Sequence, residues 1–79
     1  MSIASEQYIL SRFGQQVRSL RQIKAISQEE LASRAGVHRT YIGMIERGEK
    51  NVTIVTMMKL ATALEINITE LLKDFDDGK

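Results

Sequence analysis

Between residues 39 and 44 stand Arg39, Thr40, Tyr41, Gly43 and Met44, with no acid among them, and their side chains suit the edges of nucleic-acid bases. A guanidinium donates two parallel hydrogen bonds to O6 and N7 of guanine. A threonine hydroxyl pairs with base edges, or its methyl meets that of thymine, and Met44 adds an apolar contact. An ordinary solvated helix face would mix Glu and Lys instead. Gly43 admits two readings: bare backbone that lets a duplex come close, or a contact between helices. Rival chemistries find little to work with. The 79 residues include no Cys and one His, which excludes thiolate nucleophiles and thiolate or His-rich metal sites. His38 is left as a helix cap or a phosphate neighbour. Glu29 and Glu30 are adjacent and diverge on a helix, a poor acid–base pair. No enzyme activity, cofactor or small-molecule ligand is expected.

Such side chains need a rigid mount, and hydrophobic periodicity predicts one. Leu10, Phe13, Val17 and Leu20 recur at steps of three and four, predicting a helix over about 6–24. Gly14 within it costs about 1 kcal/mol relative to Ala, and a close contact with another element would account for it. Ser27-Gln28-Glu29-Glu30 forms a capping box for a helix over 28–35, with Ile26 and Leu31 placed as a hydrophobic staple. Gly36 ends that helix as a left-handed cap. The next helix spans 39–47, begins near His38 or Arg39, buries Ile42 and Ile45, and stops at Gly48. Thr53 caps a fourth over 54–65, and Met57, Leu60, Ala61 and Leu64 are spaced for burial. Asn67 to Glu70 reads as a second capping box, for a short helix over 68–73. Residues 74–79 form a tail that Phe75 partly anchors. No period-two alternation is sustained, so the expectation is an all-α single domain of five helices over 1–79.

Two short helices joined by a tight turn containing Gly36 make a helix-turn-helix unit. Ala32 is small where the two would cross, Val37 plugs the turn, and Ile42 and Ile45 pin the second helix down. That packing leaves Arg39, Thr40 and Met44 outward.

Composition sets the remaining bounds. The chain is 43% apolar and 27% charged, a globular balance, with a formal net charge of +1. Residues 12–50 carry eight Lys and Arg against four Glu, whereas 51–79 carry three Lys against five acids. A basic middle suits a polyanion, although an imbalance this modest also fits an ordinary surface. Apolar runs fall far short of the ~20 residues that cross a bilayer, and no basic start leads into an apolar stretch. A soluble, cytoplasmic protein without membrane contact is expected. A chain this short buries only about 60% of its unfolded surface, so association with a second copy is a natural source of stability.

Leu20-Arg21, Ser27 through Ala32, Ala35-Gly36-Val37, Ile42, Ile45-Glu46-Arg47-Gly48, and Leu60-Ala61 with Leu64 occur in one order and spacing. Together they resemble the lambda-repressor-like helix-turn-helix family, the Cro/C1 or XRE type, over about residues 9–73. Within it, His38 through Ile42 and Glu46 through Thr53 look most like controller proteins of restriction–modification systems. The resemblance implies a five-helix lambda-repressor-like domain whose third helix enters the major groove. It implies base-facing roles for Arg39, Thr40 and Met44. Tyr41 matches a position that reaches base or backbone, and equally fits a shield for the core edge. Gln28, Arg34, Arg47, Lys50 and Asn51 match or flank phosphate-contacting positions, and a helix N-terminus suits an anion in any case. Arg21 and Glu46 match a partly buried pair joining the first and third helices. At Gly43 the family commonly carries Ser or another polar residue, so a side-chain contact is missing there.

The expectation is therefore a sequence-specific transcription regulator, activator or repressor, that binds a pseudo-palindromic double-stranded DNA operator as a homodimer. RNA polymerase is a candidate further partner. Met58, Leu64, Ile66, Ile68, Leu71, Leu72 and Phe75 are the expected dimer surface. The alternative is a protein-binding helix-turn-helix module, such as an antitoxin or a coactivator adaptor, which would carry acids or bulky apolar residues in place of Arg39 and Thr40.

Overall fold

The computed structural model describes residues 5–73 and Phe75; the rest of the expected 74–79 tail lies outside the described residues. Among the described residues there are five helices and no strand. They are α1 (Glu6–Ile23), α2 (Gln28–Ala35), α3 (Arg39–Glu46), α4 (Ile54–Leu64) and α5 (Ile68–Leu71). None is long and apolar enough to cross a membrane.

Local chemistry sets most of the helix ends. Ser5, Ser27 and Thr53 each accept a hydrogen bond from the amide three residues on, at α1, α2 and α4. Glu30 does not complete the expected box, because its carboxylate takes Arg34 at 2.8 Å instead. Gly36 closes α2 at φ 73°, where a side chain would be strained. Two caps depart from expectation. Neither Asn67 nor His38 makes a side-chain cap bond. At Asn67 the backbone carbonyl takes the Glu70 amide at 2.9 Å, and the His38 carbonyl takes the amides of Tyr41 and Ile42. α4 ends one residue early because Glu65 adopts φ 59°, a left-handed cap with no glycine to announce it. α5 stops at Leu71, two residues short of the expected end.

The core gathers Phe13 and Val17 from α1, Leu31, Ala32 and Ala35 from α2, Ile42 and Ile45 from α3, Leu60, Ala61, Ala63 and Leu64 from α4, and Leu71. Leu64 is 1% exposed and Leu71 0%. Both fill the protomer's own interior, so neither offers area to a second copy, contrary to expectation. Their helical spacing marks an apolar face without saying what that face meets. Ile66, Ile68 and Phe75 are partly buried against the same core, while Met58 and Leu72 remain exposed.

Two features fix α3 against α1. The first is Gly14. A Cβ placed there would lie 2.2 Å from the Ile45 carbonyl oxygen and 2.8 Å from that of Glu46. α1 therefore crosses the end of α3 in direct backbone contact. The second is the Glu46 carboxylate, whose side chain is 4% exposed. Arg21 of α1 grips it with two bonds, Nε to Oε2 at 2.7 Å and Nη2 to Oε1 at 3.1 Å. Nη1 of the same arginine donates to the Ile26 carbonyl at 2.9 Å, holding the α1–α2 turn. Gln28, which opens α2, donates Nε2 to Glu46 Oε1 at 3.0 Å. Three helices thus meet on one carboxylate.

Both features predict stability changes. Gly14→Ala gains about 1 kcal/mol of helix propensity but forces α1 from α3, so a net loss of about 1–3 kcal/mol is expected in urea denaturation. A raised midpoint would contradict the close crossing. Arg21→Met should cost about 3–5 kcal/mol by stranding a buried carboxylate, whereas Arg21→Met with Glu46→Met should cost less than the single change. Additive losses across that cycle would mean that the two side chains are not coupled.

Candidate nucleic-acid interface

With Ile42 and Ile45 pulled inward, α3 turns the opposite side out. Arg39 and Thr40 on that side are exposed, and Met44, one turn later, is half-buried. Tyr41 is half-buried and packs against the core, so it shields the core edge while keeping part of its ring outside. Gly43 is buried, yet the bundle does not cover it. A Cβ there would meet Arg47 Nη1 at 3.2 Å and Gln28 Oε1 at 3.8 Å. Two polar side chains of the same site lie over it, and Gln28 reaches it from α2.

The cations at the edge of α3 are held by neighbours. Arg47 donates Nε to Glu49 at 3.1 Å and Nη2 to the same carboxylate at 3.3 Å. Glu49 raises the Arg47 guanidinium above its ordinary value, chiefly through the hydrogen bond and then through its charge. Lys50 Nζ stands 5.8 Å from the centre of the Tyr41 ring, a cation–π distance. Asn51 is exposed just beyond. The turn carrying them is anchored from α1. Gln7 donates Nε2 to the Gly48 carbonyl at 3.2 Å, and Gly48, at φ 75°, lies against Ser11.

The structure brings most of the expected phosphate-side residues to the rim of α3, with one exception. Gln28, Arg47, Lys50 and Asn51 follow α3 or pack on it. One Gln28 amide hydrogen is taken by Glu46 and the Glu30 backbone amide by Ser27, which leaves the second Gln28 hydrogen and the backbone amides of Gln28 and Glu29 for an anion. His38 and Arg39 border a shallow groove with Glu29 and Ser33 at the start of α3. Arg34 lies elsewhere: it pairs with Glu30 and lines the α2–α4 cleft beside Val55, Met58 and Lys59. The seven expected dimer residues are likewise divided. Met58 lies in that cleft, and Leu72 and Phe75 border an apolar depression with Ile9 and Phe13.

Three contributors went unread in the sequence. Glu49 registers there only as a charge, although an acid two residues past Arg47 across a glycine is a usable signal. Gln7 and Ser11 carry no signal, because their partner Gly48 is separated from Gln7 by 41 positions.

Residues 17–71 match the helix-turn-helix family HTH_3. The control protein C.SmaI of Serratia marcescens is 54% identical over 56 residues, which are 71% of this chain and 67% of that protein. The structure of the restriction–modification controller protein C.AhdI from Aeromonas hydrophila is 52% identical over 78% of this chain and 94% of that one, with a TM-score of 0.77. A third relative, the controller C.Esp1396I, was solved as a tetramer in complex with its natural 35 base-pair operator. It is 32% identical over 84% of this chain and 97% of that one, with a TM-score of 0.73. The chain therefore belongs to the helix-turn-helix family HTH_3, alongside the restriction–modification controller proteins.

Proposed function

We propose that this chain is a sequence-specific DNA-binding transcription regulator of the restriction–modification controller kind, reading a pseudo-palindromic operator as a homodimer. The observation that carries this reading is the outward side of α3, where Arg39 and Thr40 stand exposed on a helix fixed from behind. Arg39 and Thr40 read base edges in the major groove, and Met44 supplies an apolar contact one turn on. Tyr41 serves the boundary between base and backbone. Gln28, His38, Arg47, Lys50 and Asn51 contact phosphates and set the register of α3 in the groove.

One domain offers few base contacts. Two copies related by a two-fold axis double them, with half-sites about 34 Å apart. Exposed Leu72, with Ile9 and Phe75, supports an apolar contact between copies. An adaptor for another protein is the weaker reading, since the outward side presents Arg39 and Thr40 rather than acids or bulky apolar groups. RNA polymerase would join as a partner where the regulator activates.

Selection from a randomised duplex pool, followed by sequencing, tests the proposal: a two-fold-symmetric consensus is expected, and no enrichment would overturn it. Arg39→Ala should lower the ratio of operator to random binding by about 1–3 kcal/mol. Lys50→Ala should weaken both alike and flatten the salt slope by about one unit. Equal losses on operator and random duplex for Arg39→Ala would remove its base-reading role.

A further inference from the structure

We infer that Gly43 is a positioning residue for Arg47: its missing side chain is the seat in which the guanidinium lies across α3, beside Gln28 and facing the DNA backbone. The inference rests on the DNA-binding reading above and assigns a part to a residue that itself contacts no DNA.

The geometry follows from helix construction. Long side chains lean back over the turn that precedes them, so a residue at the end of a helix covers the position four before it. Arg47 follows α3 directly, and its amide bonds to the Gly43 carbonyl at 3.1 Å. Its guanidinium then comes down on Gly43, with Nη1 at 3.2 Å and Cζ at 4.0 Å from where a Cβ would stand. Gln28 Oε1 lies 3.8 Å from the same point. The two side chains therefore flank one missing methyl.

Glu49 completes the seat. It engages Nε and Nη2, which turns the Nη1 corner toward α3 and Gln28. Gln28 is the first residue of α2, whose leading amides lack helical partners. A phosphate at the start of α2 would meet those amides and the Nη1 corner together.

A methyl at residue 43 meets no backbone atom of another element, and the atom it crowds is the end of an exposed side chain. Gly43→Ala should therefore fold and, as alanine is the better helix former, melt at a higher temperature. The Arg47 guanidinium would have to give by a few tenths of an ångström, which shifts its Nη1 corner relative to Gln28.

The test is a double-mutant cycle of Gly43→Ala and Arg47→Ala, read as affinity for a random-sequence duplex over a range of salt. Random duplex is the right probe because phosphate contacts are independent of sequence. Gly43→Ala should weaken binding about threefold, a part of what Arg47→Ala loses, and move the salt slope toward that of Arg47→Ala. In the Arg47→Ala background it should change affinity less than about twofold. Unchanged affinity for Gly43→Ala would overturn the proposal. So would an equal loss in both backgrounds, which would place the methyl against DNA itself. A lowered melting temperature in both backgrounds would make Gly43 a packing position and also overturn it. A chain that binds random duplex but enriches no operator leaves this cycle readable and fails only the regulator reading; a chain that binds no duplex fails both.

Discussion

The buried Glu46 carboxylate is the constraint on which the rest of the arrangement depends. An acid in the last turn of a helix faces the negative end of the helix dipole, and burial adds a desolvation cost. Both penalties are offset by two bonds from Arg21 and one from Gln28. The compensation is also the architecture, since those donors come from α1 and from the start of α2. Loss of Arg21 would strand the charge and free α3 from α1, whereas loss of Gln28 would remove only the tie to α2. Turning its one acid inward also leaves the outward side of α3 free of negative charge, as contact with a polyanion requires.

α3 needs that support. It has eight residues and no side-chain cap, far below the length at which a helix holds itself in water. Ile42 and Ile45 attach it to the core on one side. The backbone contact at Gly14 stops it from sliding toward α1, and the Glu46 junction stops it from rotating. A helix held in this way presents Arg39 and Thr40 in one orientation, and side-chain readout of base edges demands that. The rigidity of α3 is borrowed from its neighbours, so in the proposed function residues as distant as Gly14 and Arg21 support the placement of Arg39.

Where a signal was local, the sequence carried it. The caps at Ser27 and Thr53, the stops at Gly36 and Gly48, and the inward Ile42 and Ile45 all follow from neighbours within one turn. The resemblance supplied the Arg21–Glu46 pair. Signals that depend on competition misled. Asn67 has the side chain for a cap, but its carbonyl satisfies the Glu70 amide instead. Glu30 is drawn to Arg34 on the next turn. Leu64 and Leu71 lie on an apolar face, and periodicity cannot say whether such a face meets its own core or a second copy. Gly43 was ambiguous for a related reason: its neighbours are the ends of Arg47 and Gln28, whose placement depends on Glu49 and Glu46.

These contacts divide the work between two kinds of charge pair. Arg21–Glu46 is largely shielded from solvent and holds the helices in place. Arg47–Glu49 is exposed, and pairs of that kind contribute little to stability, about 0–1 kcal/mol. Its effect is orientation: it takes one edge of the guanidinium and leaves a corner over Gly43. Lys50, over the Tyr41 ring, is likewise placed but not neutralised, since a ring face attracts a cation without removing its charge. The rim of α3 therefore keeps its cations ordered yet available. A long side chain that is already placed loses less freedom when a phosphate arrives, and the saving applies to any duplex, whatever its sequence. In the proposed function, general affinity at the rim and discrimination at Arg39 and Thr40 therefore fall to different residues, those around α3 and those on it, and a substitution can alter either while the other stands.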